Sequence, residues 1–317
     1  VLYETLHDLL TTGDRGLHAV LDECWATRPA ISNPHLVTLL GIGIREISLR
    51  SLDVGRLFDG DEDRDKRAEI LRKALADDAD ALTAVVSNSS NSFTGARRFL
   101  VPQLLIGEFA ARRGLTDVRF LDLGTGIGLM PRQLNNKTVF DRFAADLSIP
   151  AQLRYRPIPL SARHGIDMSP LPTLDWVRAC FGPSPYYSDR YRELLWSLDE
   201  TADVADHVTV DALNLLDREQ LAEYIRAHRF NAVCCSFVLY QYDPELRTRI
   251  VENIVHSMSG PGVFLSMEPS HGLLRQGCTV TAYLARVPEP LHVADVTDGH
   301  FLGAVHAGPD LARFLQS

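Results

Sequence analysis

The 317-residue chain is long enough to bury an extensive core, since 45% of its residues are hydrophobic and 23% are charged. Its formal net charge of -9 argues against a nucleic-acid partner, because nucleic-acid-binding surfaces carry a basic stripe. No stretch reaches the roughly 18 apolar residues of a membrane span, and no signal peptide is recognisable. The composition predicts a folded cytoplasmic protein with no membrane partner.

The cysteines form an odd set without the spacing of metal ligands: Cys24, Cys180, Cys234, Cys235 and Cys278. Two of them are adjacent inside an apolar run, as expected for buried, reduced thiols of an intracellular protein. No metal site is therefore predicted.

Residues 1–115 show the periodicity of amphipathic helices, with leucine stripes that we interpret as core. Asn33 followed by Pro34 fits a helix cap and a first helical position. This region is predicted to form an all-helical N-terminal cap domain. Its last part includes a polar stretch, residues 87–98, whose low complexity is typical of a flexible linker. The alternative is that this stretch covers a ligand site.

From residue 116 onward short apolar strands alternate with helices, as in a parallel sheet with helical crossovers. The first strand, Val118 to Leu123, runs into a turn with glycines at 124, 126 and 128 and an acid, Asp122, in front. Alternating glycines permit a sharp turn at positive φ and the close approach of a ligand. A dinucleotide site would carry G-x-G-x-x-G. Here the third glycine comes one residue early, and the acid suits a cationic ligand better than a pyrophosphate.

Two segments compete to be the second strand, which should end in an acid that binds ribose hydroxyls. One includes Asp146, at the usual spacing of roughly 20 residues after the glycine turn. The other is the segment 164–170, with Asp167, whose surrounding sequence fits better. We prefer Asp167, which makes residues 130–162 an insertion that forms a lid over the site.

The remaining strands complete a predicted seven-stranded sheet. The third, 208–210, ends at Asp211 and Ala212, where the acid either binds a ligand or caps a helix. The fourth, 231–237, is too apolar for an edge and ends at Ser236 and Phe237. A fifth, 262–267, is followed by two segments, 279–287 and 300–306, that are expected to close the sheet as an antiparallel hairpin.

A second predicted lid, residues 182–200, contains Tyr186 and Tyr187. Their rings either make cation–π contacts or place a phenol near the reacting group, or they pack between helices.

The pattern D-x-G-x-G-x-G with three acids at predicted strand ends, Asp122, Asp167 and Asp211, resembles the class I (Rossmann-like) S-adenosylmethionine-dependent methyltransferase superfamily. The resemblance covers residues 117 to the end. It implies an α/β, Rossmann-like fold with a mostly parallel seven-stranded sheet flanked by helices, behind the helical cap. More narrowly, the segments 33–36, 165–170, 176–179 and 305–308 resemble a bacterial family of unknown function.

The resemblance implies S-adenosyl-L-methionine as the cofactor. Asn91 and Arg97 or Arg98 would bind its methionine carboxylate, an arginine doing so through two N–H groups. Asp167 would bind the ribose, Asp211 the adenine amino group, and Tyr186 and Tyr187 are the catalytic candidates. The residues implied to contact the cofactor along the strand ends are Asp122, Gly124, Thr125, Gly126, Asp167, Met168, Asp211, Ala212, Ser236 and Phe237.

The leading functional prediction is an S-adenosylmethionine-dependent enzyme that methylates a small molecule. The segment after the fourth strand, 236–239, lacks an Asn-Pro-Pro-Tyr-type sequence, which argues against nucleic-acid or protein amide methylation. One alternative is intramolecular cyclisation of the cofactor to azetidine-2-carboxylate with release of methylthioadenosine. Another is a non-catalytic S-adenosylmethionine-binding protein. The oligomeric state is left open.

Overall fold

The computed structural model describes residues 2–27, 33–59, 61–270 and 277–316. The chain divides into two compact units, Val1–Phe93 with Pro172–Tyr191, and Thr94–Leu171 with Arg192–Ser317. The sequence-based division into residues 1–115 and 116–317 stays a prediction. The roles of a cap and of two lids stay predictions, and the side chains of Asn33 and Pro34 lie outside the described part of the chain.

The described residues contain α-helices with these bounds: α1 Leu2–Thr11, α2 Arg15–Thr27, α3 Asn33–Ser48, α4 Leu52–Gly55, α5 Arg64–Asp77, α6 Ala79–Asn88, α7 Leu100–Arg113, α8 Leu129–Gln133, α9 Lys137–Ala144, α10 Leu174–Phe181, α11 Pro185–Glu200, α12 Arg218–Ala227, α13 Pro244–Ser257 and α14 Leu311–Gln316. None of them is both long enough and apolar enough to cross a membrane.

Leucine stripes form the core of the first unit, as the sequence predicts. Leu6 of α1, Leu21 of α2, Leu39 of α3 and Leu71 of α5 are all fully or nearly fully buried in one cluster. Helix α5 begins after Asp63, whose carboxylate accepts the N–H of Lys66 at 2.7 Å. Such a cap satisfies one of the free N–H groups of a helix start and stabilises it by about 1 kcal/mol.

Nine strands are found among the described residues: β1 Val118–Leu123, β2 Leu147–Ser148, β3 Leu160–Asp167, β4 Thr209–Ala212, β5 Ala232–Ser236, β6 Val263–Pro269, β7 Cys278–Leu284, β8 Val287–Val296 and β9 Gly303–Ala307. They form one sheet in the order β2-β9-β8-β7-β6-β5-β1-β3-β4. The section β4-β3-β1-β5-β6 is parallel, and the β6-β7-β8-β9 section is antiparallel. The protein is therefore a mixed α/β structure.

The predicted count of seven strands is wrong. Strand β8 was not foreseen, and β2, which lies in the segment that was rejected as the second strand, forms in addition to β3. Strand β8 contains Pro288 and Pro290, which argue against a strand because proline cannot donate to the ladder. They are tolerated because they lie between the paired residues Val287 and Leu291, where the register with β7 shifts. Strand β2 has only two residues and pairs with β9.

Helix α7 belongs to the second unit and is buried along its length from Leu100 to Ala110. At Gly107 the main chain of another segment comes close, because a Cβ atom there would lie 2.7 Å from the carbonyl oxygen of Arg156. That carbonyl is held in place by Gln103, whose Nε2 donates to it at 2.8 Å. Glycine is thus required at residue 107 for packing.

We expect Gly107→Ala to lower the free energy of unfolding by about 1–3 kcal/mol through overpacking, although alanine favours a helix by about 1 kcal/mol. Urea unfolding followed by circular dichroism measures the change. Gly55→Ala in α4 is the control, because a Cβ there meets only Ser48 O, at 3.8 Å, and no loss is expected. A Gly107→Ala protein as stable as the parent would contradict the packing argument.

Candidate functional site

The candidate site lies where the sheet reverses its order. Strand β1 pairs in parallel with β3 on one side and with β5 on the other, so that Asp122 is opposite Gly165 and Cys234. In open α/β sheets the crevice at the carboxyl ends of the strands, at such a switch point, is where ligands bind. The ends of β1, β3, β4 and β5 carry most of the predicted site residues.

The glycine turn after β1 uses the left-handed region three times. Gly124, Gly126 and Gly128 have φ of 68°, 60° and 72°, which side chains rarely adopt. A Cβ at Gly124 would meet Val238 Cγ2, and one at Gly126 would lie 2.8 Å from Thr94 Oγ1. Neighbouring protein atoms therefore already require glycine here, and the close approach of a ligand stays a prediction.

Asp122 is buried beneath this turn. Its Oδ2 accepts a hydrogen bond from Thr125 Oγ1 at 2.7 Å. Burial raises the pKa of Asp122 to about 7, the hydrogen bond from Thr125 opposes the rise, and the charge of Asp167 adds to it. Asp122 can thus hold or release a proton near neutral pH.

Asp167 ends β3, directly beside β1. Its two oxygens accept the main-chain N–H groups of Gly126 and Met168, both at 2.7 Å. Burial raises the pKa of Asp167, and these two hydrogen bonds oppose the rise. Each oxygen keeps a further acceptor position, because a carboxylate has about four lone-pair sites.

Asp146 is not at the end of a strand that pairs with β1. It precedes β2, which pairs with β9 at the far edge of the sheet, and its side chain is 63% exposed. The second parallel strand is therefore the one that ends at Asp167.

Asp211 and Ala212 end β4, and Ala212 is paired with Asp167. The interpretation of Asp211 as a helix cap is wrong, because α12 begins several residues later and is capped by Asp217. Asp211 instead accepts a hydrogen bond from the Tyr224 hydroxyl at 2.6 Å. Burial, together with this hydrogen bond, raises the pKa of Tyr224, so the phenol stays protonated.

Ser236 and Phe237 lie at the carboxyl end of β5. Among the described residues Ser236 Oγ, a buried atom, has no hydrogen-bond partner. Buried polar atoms are seldom left unpaired, so a ligand group or water that bonds to it would fit this position. Phe237 has a φ of 56°, and its N–H donates to Met267 O at 2.8 Å.

The two consecutive arginines before α7 have different surroundings. Arg97 is buried and donates through Nη2 and Nε to Glu193 at 2.7 and 3.1 Å, through Nη2 to Asp146 at 3.2 Å, and through Nη1 to the Phe143 carbonyl at 3.4 Å. Burial lowers its pKa, but Glu193 and Asp146 raise it overall. Its guanidinium is thus engaged within the protein, and carboxylate binding by Arg97 stays a prediction.

Arg98 lies at the switch point. Its Cζ is 4.2 Å from the centre of the Phe237 ring, over the ring face, a cation–π arrangement. Burial lowers the pKa of Arg98 to about 10, while the charges of Glu268 and Asp122 oppose that change. From the sequence, Arg97 is the first candidate and Arg98 the alternative, and the two side chains have different contacts.

Glu268 is a residue that the sequence interpretation missed. It follows the core of β6 and accepts the N–H groups of Leu239 and Tyr240 at 3.0 and 3.1 Å. Burial raises the pKa of Glu268 to about 7, and these hydrogen bonds oppose the rise. An acid directly after a buried strand next to the switch point was the signal that could have identified it.

The predicted catalytic tyrosines and Asn91 belong to the first unit. Tyr186 and Tyr187 lie in the first turn of α11, 43% and 38% exposed, with ring centres 5.3 Å apart. The Tyr187 ring also contacts Phe93, at 5.7 Å. Asn91 Oδ1 accepts the N–H of Phe93 at 3.3 Å. Their roles at a site stay predictions.

The predicted cofactor, S-adenosylmethionine, offers donors and a carboxylate that these side chains could bind in principle, and their binding of it stays a prediction. Carboxylates at Asp122, Asp167 and Asp211 match an ammonium, ribose hydroxyls and an amino group, while Arg98 matches a carboxylate. Among the described residues no group of three or more His, Cys, Asp or Glu side chains is placed to hold a metal ion.

No protein-family model and no curated protein matches the chain. A solved structure of PigF with SAH is similar at 17% identity and a TM-score of 0.29, over 74% of this chain and 53% of that chain. A structure of a possible exported protein from Bordetella parapertussis is similar at 14% identity and a TM-score of 0.28, over 74% and 70% of the two chains. The chain thus spans about half the length of the PigF structure. At these TM-scores neither likeness bears on function.

The raised pKa of Asp122 predicts a pH-dependent stability. The folded protein keeps this proton up to about pH 7, whereas an unfolded aspartate loses it near its ordinary pKa of about 3.9. Between these values the folded state binds more protons, so the free energy of unfolding falls as the pH rises. In the Asp122→Asn variant the side-chain amide does not titrate, and its oxygen can still accept from Thr125.

We therefore expect Asp122→Asn to gain stability relative to the parent protein between pH 4 and 7, by about 2–4 kcal/mol in total. Urea unfolding at a series of pH values measures the difference. If the free energy of unfolding changes with pH in the same way in both proteins, the Asp122 pKa is not raised in the folded protein.

Proposed function

We infer that the chain is an S-adenosylmethionine-dependent enzyme that acts on a small molecule, by methyl transfer. One observation carries the inference. Three acids, Asp122, Asp167 and Asp211, lie at the carboxyl ends of the neighbouring parallel strands β1, β3 and β4, beside a turn with three left-handed glycines. Acids at these ends suit the hydroxyl and amino groups of a cationic nucleoside, which they can bind as acceptors.

In this proposal Asp167 binds the ribose hydroxyls. Its oxygens are oriented by the N–H groups of Gly126 and Met168, so they point to one place before a ligand arrives. Asp211, held by Tyr224, would accept from the adenine amino group, with Ala212 beside it. Asp122, which already accepts a hydrogen bond from Thr125, would accept another from the ammonium group.

Arg98 is the proposed partner of the methionine carboxylate. The Arg98 guanidinium lies over the ring of Phe237 at the switch point. An arginine can bind a carboxylate through two parallel N–H bonds, which are stronger than hydrogen bonds between neutral groups. Phe237 keeps the guanidinium plane in place for them.

The bound cofactor would supply an electrophilic methyl group on a sulfonium. The protein's part is then to hold the nucleoside, orient it towards an acceptor and exclude water, because positioning accounts for much of such catalysis. Ser236 lies at the carboxyl end of β5, where its buried hydroxyl can bond to a ligand group.

A second candidate is the cyclisation of the cofactor to azetidine-2-carboxylate. The observation that favours it is the pair of carboxylates, Asp122 and Glu268, whose pKa values are both raised to about 7 by burial. Such groups can take a proton from an ammonium group near neutral pH. Both carboxylates act electrostatically on Arg98, the residue proposed for the ligand's carboxylate.

Calorimetry with S-adenosylmethionine tests the site. We expect Asp167→Ala to weaken binding by on the order of 1–3 kcal/mol, because charged hydrogen bonds to the ribose are lost. Asp146→Ala is the matched control, since Asp146 is exposed and lies beside the remote strand β2. Unchanged affinity in Asp167→Ala, with a loss in Asp146→Ala, would reverse the assignment.

Product analysis by mass spectrometry separates the chemistries. S-adenosylhomocysteine that appears only with an added acceptor supports methyl transfer. Methylthioadenosine with a cyclic amino acid, formed from the cofactor alone, supports cyclisation instead. Measurable binding without either product over broad acceptor pools would mean a non-catalytic binding protein.

A further inference from the structure

The turn that follows β5 contacts the proposed site in two places. The ring of Phe237 lies under Arg98, with 4.2 Å between Cζ and the ring centre. The next side chain, Val238, packs against the glycine turn so closely that a Cβ at Gly124 would collide with its Cγ2. A shift of this turn would therefore move both the Phe237 ring that contacts Arg98 and the Val238 side chain that packs against Gly124.

The turn needs support, because Phe237 has a φ of 56°, a left-handed conformation that is unfavourable for a bulky residue. The support comes from β6. Met267 O accepts the Phe237 N–H at 2.8 Å. The two oxygens of Glu268 accept the N–H groups of Leu239 and Tyr240, at 3.0 and 3.1 Å.

Glu268 itself is anchored in the sheet. It belongs to β6, is paired with Thr279 of β7, and follows Met267, which is paired with Ser236 of β5. Its carboxylate thus links a rigid central strand to the turn. Side chains on a strand hold a site more precisely than a loop does by itself.

We propose that Glu268 is a positioning residue for the ligand-carboxylate subsite: it fixes the turn 237–240 and thereby places the Phe237 ring beneath Arg98. The inference rests on the proposed function, since the ligand is taken to be S-adenosylmethionine. It adds a specificity to that function. Glu268 makes the site favour a nucleoside that carries an amino-acid group over one that lacks it.

A carboxylate is required for this task because both of its oxygens accept a main-chain N–H. Glutamine has one acceptor oxygen, and its amide nitrogen is a donor. Glu268→Gln therefore turns an N–H group towards one main-chain N–H of the turn and removes that hydrogen bond, although the side chains have nearly the same shape.

A direct electrostatic role of Glu268 predicts the opposite change in the affinity of Glu268→Gln for S-adenosylmethionine. Its charge raises the pKa of Arg98 and competes with a ligand carboxylate for the same cation. If only this charge mattered, Glu268→Gln would make Arg98 more available and would strengthen the binding of S-adenosylmethionine. Positioning through Phe237 predicts a weaker affinity.

The test is calorimetry with two nucleosides, S-adenosylmethionine and methylthioadenosine, which lacks the amino-acid group. In Glu268→Gln we expect the affinity for S-adenosylmethionine to fall about tenfold or more, as when a charged hydrogen bond is lost, and that for methylthioadenosine to change little. Glu245→Gln is the control, because this carboxylate of α13 is 83% exposed and neither affinity should change.

A second variant keeps the test informative if Glu268→Gln is poorly folded. Phe237→Leu removes the ring under Arg98 but leaves the Glu268 hydrogen bonds to main-chain atoms in place, and we expect the same selective loss. An equal loss for both nucleosides, no loss, or tighter binding of S-adenosylmethionine would overturn the inference.

The parent protein separates this inference from the proposed function. If it binds neither nucleoside, the proposed function fails, and the inference that depends on it fails too. If the parent protein binds S-adenosylmethionine but the two variants show no selective loss, the proposed function stands and the positioning role is overturned.

Discussion

Parallel pairing of β1 with both β3 and β5 is the constraint on which the candidate site depends. It brings the carboxyl ends of three strands together, although Asp122, Asp167 and Ser236 are far apart in sequence. The glycine turn can follow β1 only because three of its residues adopt positive φ. The order of the strands thus sets the position of the site, and the turn sets its shape.

Charge burial is the second feature that the site elements share. Asp122 and Glu268 have pKa values raised to about 7, and that of Arg98 is lowered to about 10, in each case mainly by burial. Such desolvation destabilises a fold, and groups perturbed in this way concentrate at functional sites. The buried Arg97 forms a hydrogen-bonded ion pair with Glu193, and its pKa is raised.

The support of the site comes from the same sheet. The main-chain N–H of Gly126 in the glycine turn orients Asp167, and Glu268 of β6 orients the turn beside β5. Strand residues and the turns that follow the strands thus hold one another in place: the glycine turn orients an acid of β3, and an acid of β6 orients the turn 237–240. Groups held by such hydrogen bonds keep a more precise geometry than a loop does by itself.

The sequence by itself determined the local features. Strand β1 has the predicted bounds, Val118–Leu123, and the three glycines of the following turn are left-handed, because apolar runs and glycine spacing act over a few residues. Only the tertiary structure decided that β8 tolerates its prolines, that Arg98 rather than Arg97 lies at the switch point, and that Glu268 supports a turn. These outcomes depend on which distant groups meet in a buried environment, and no local pattern encodes that.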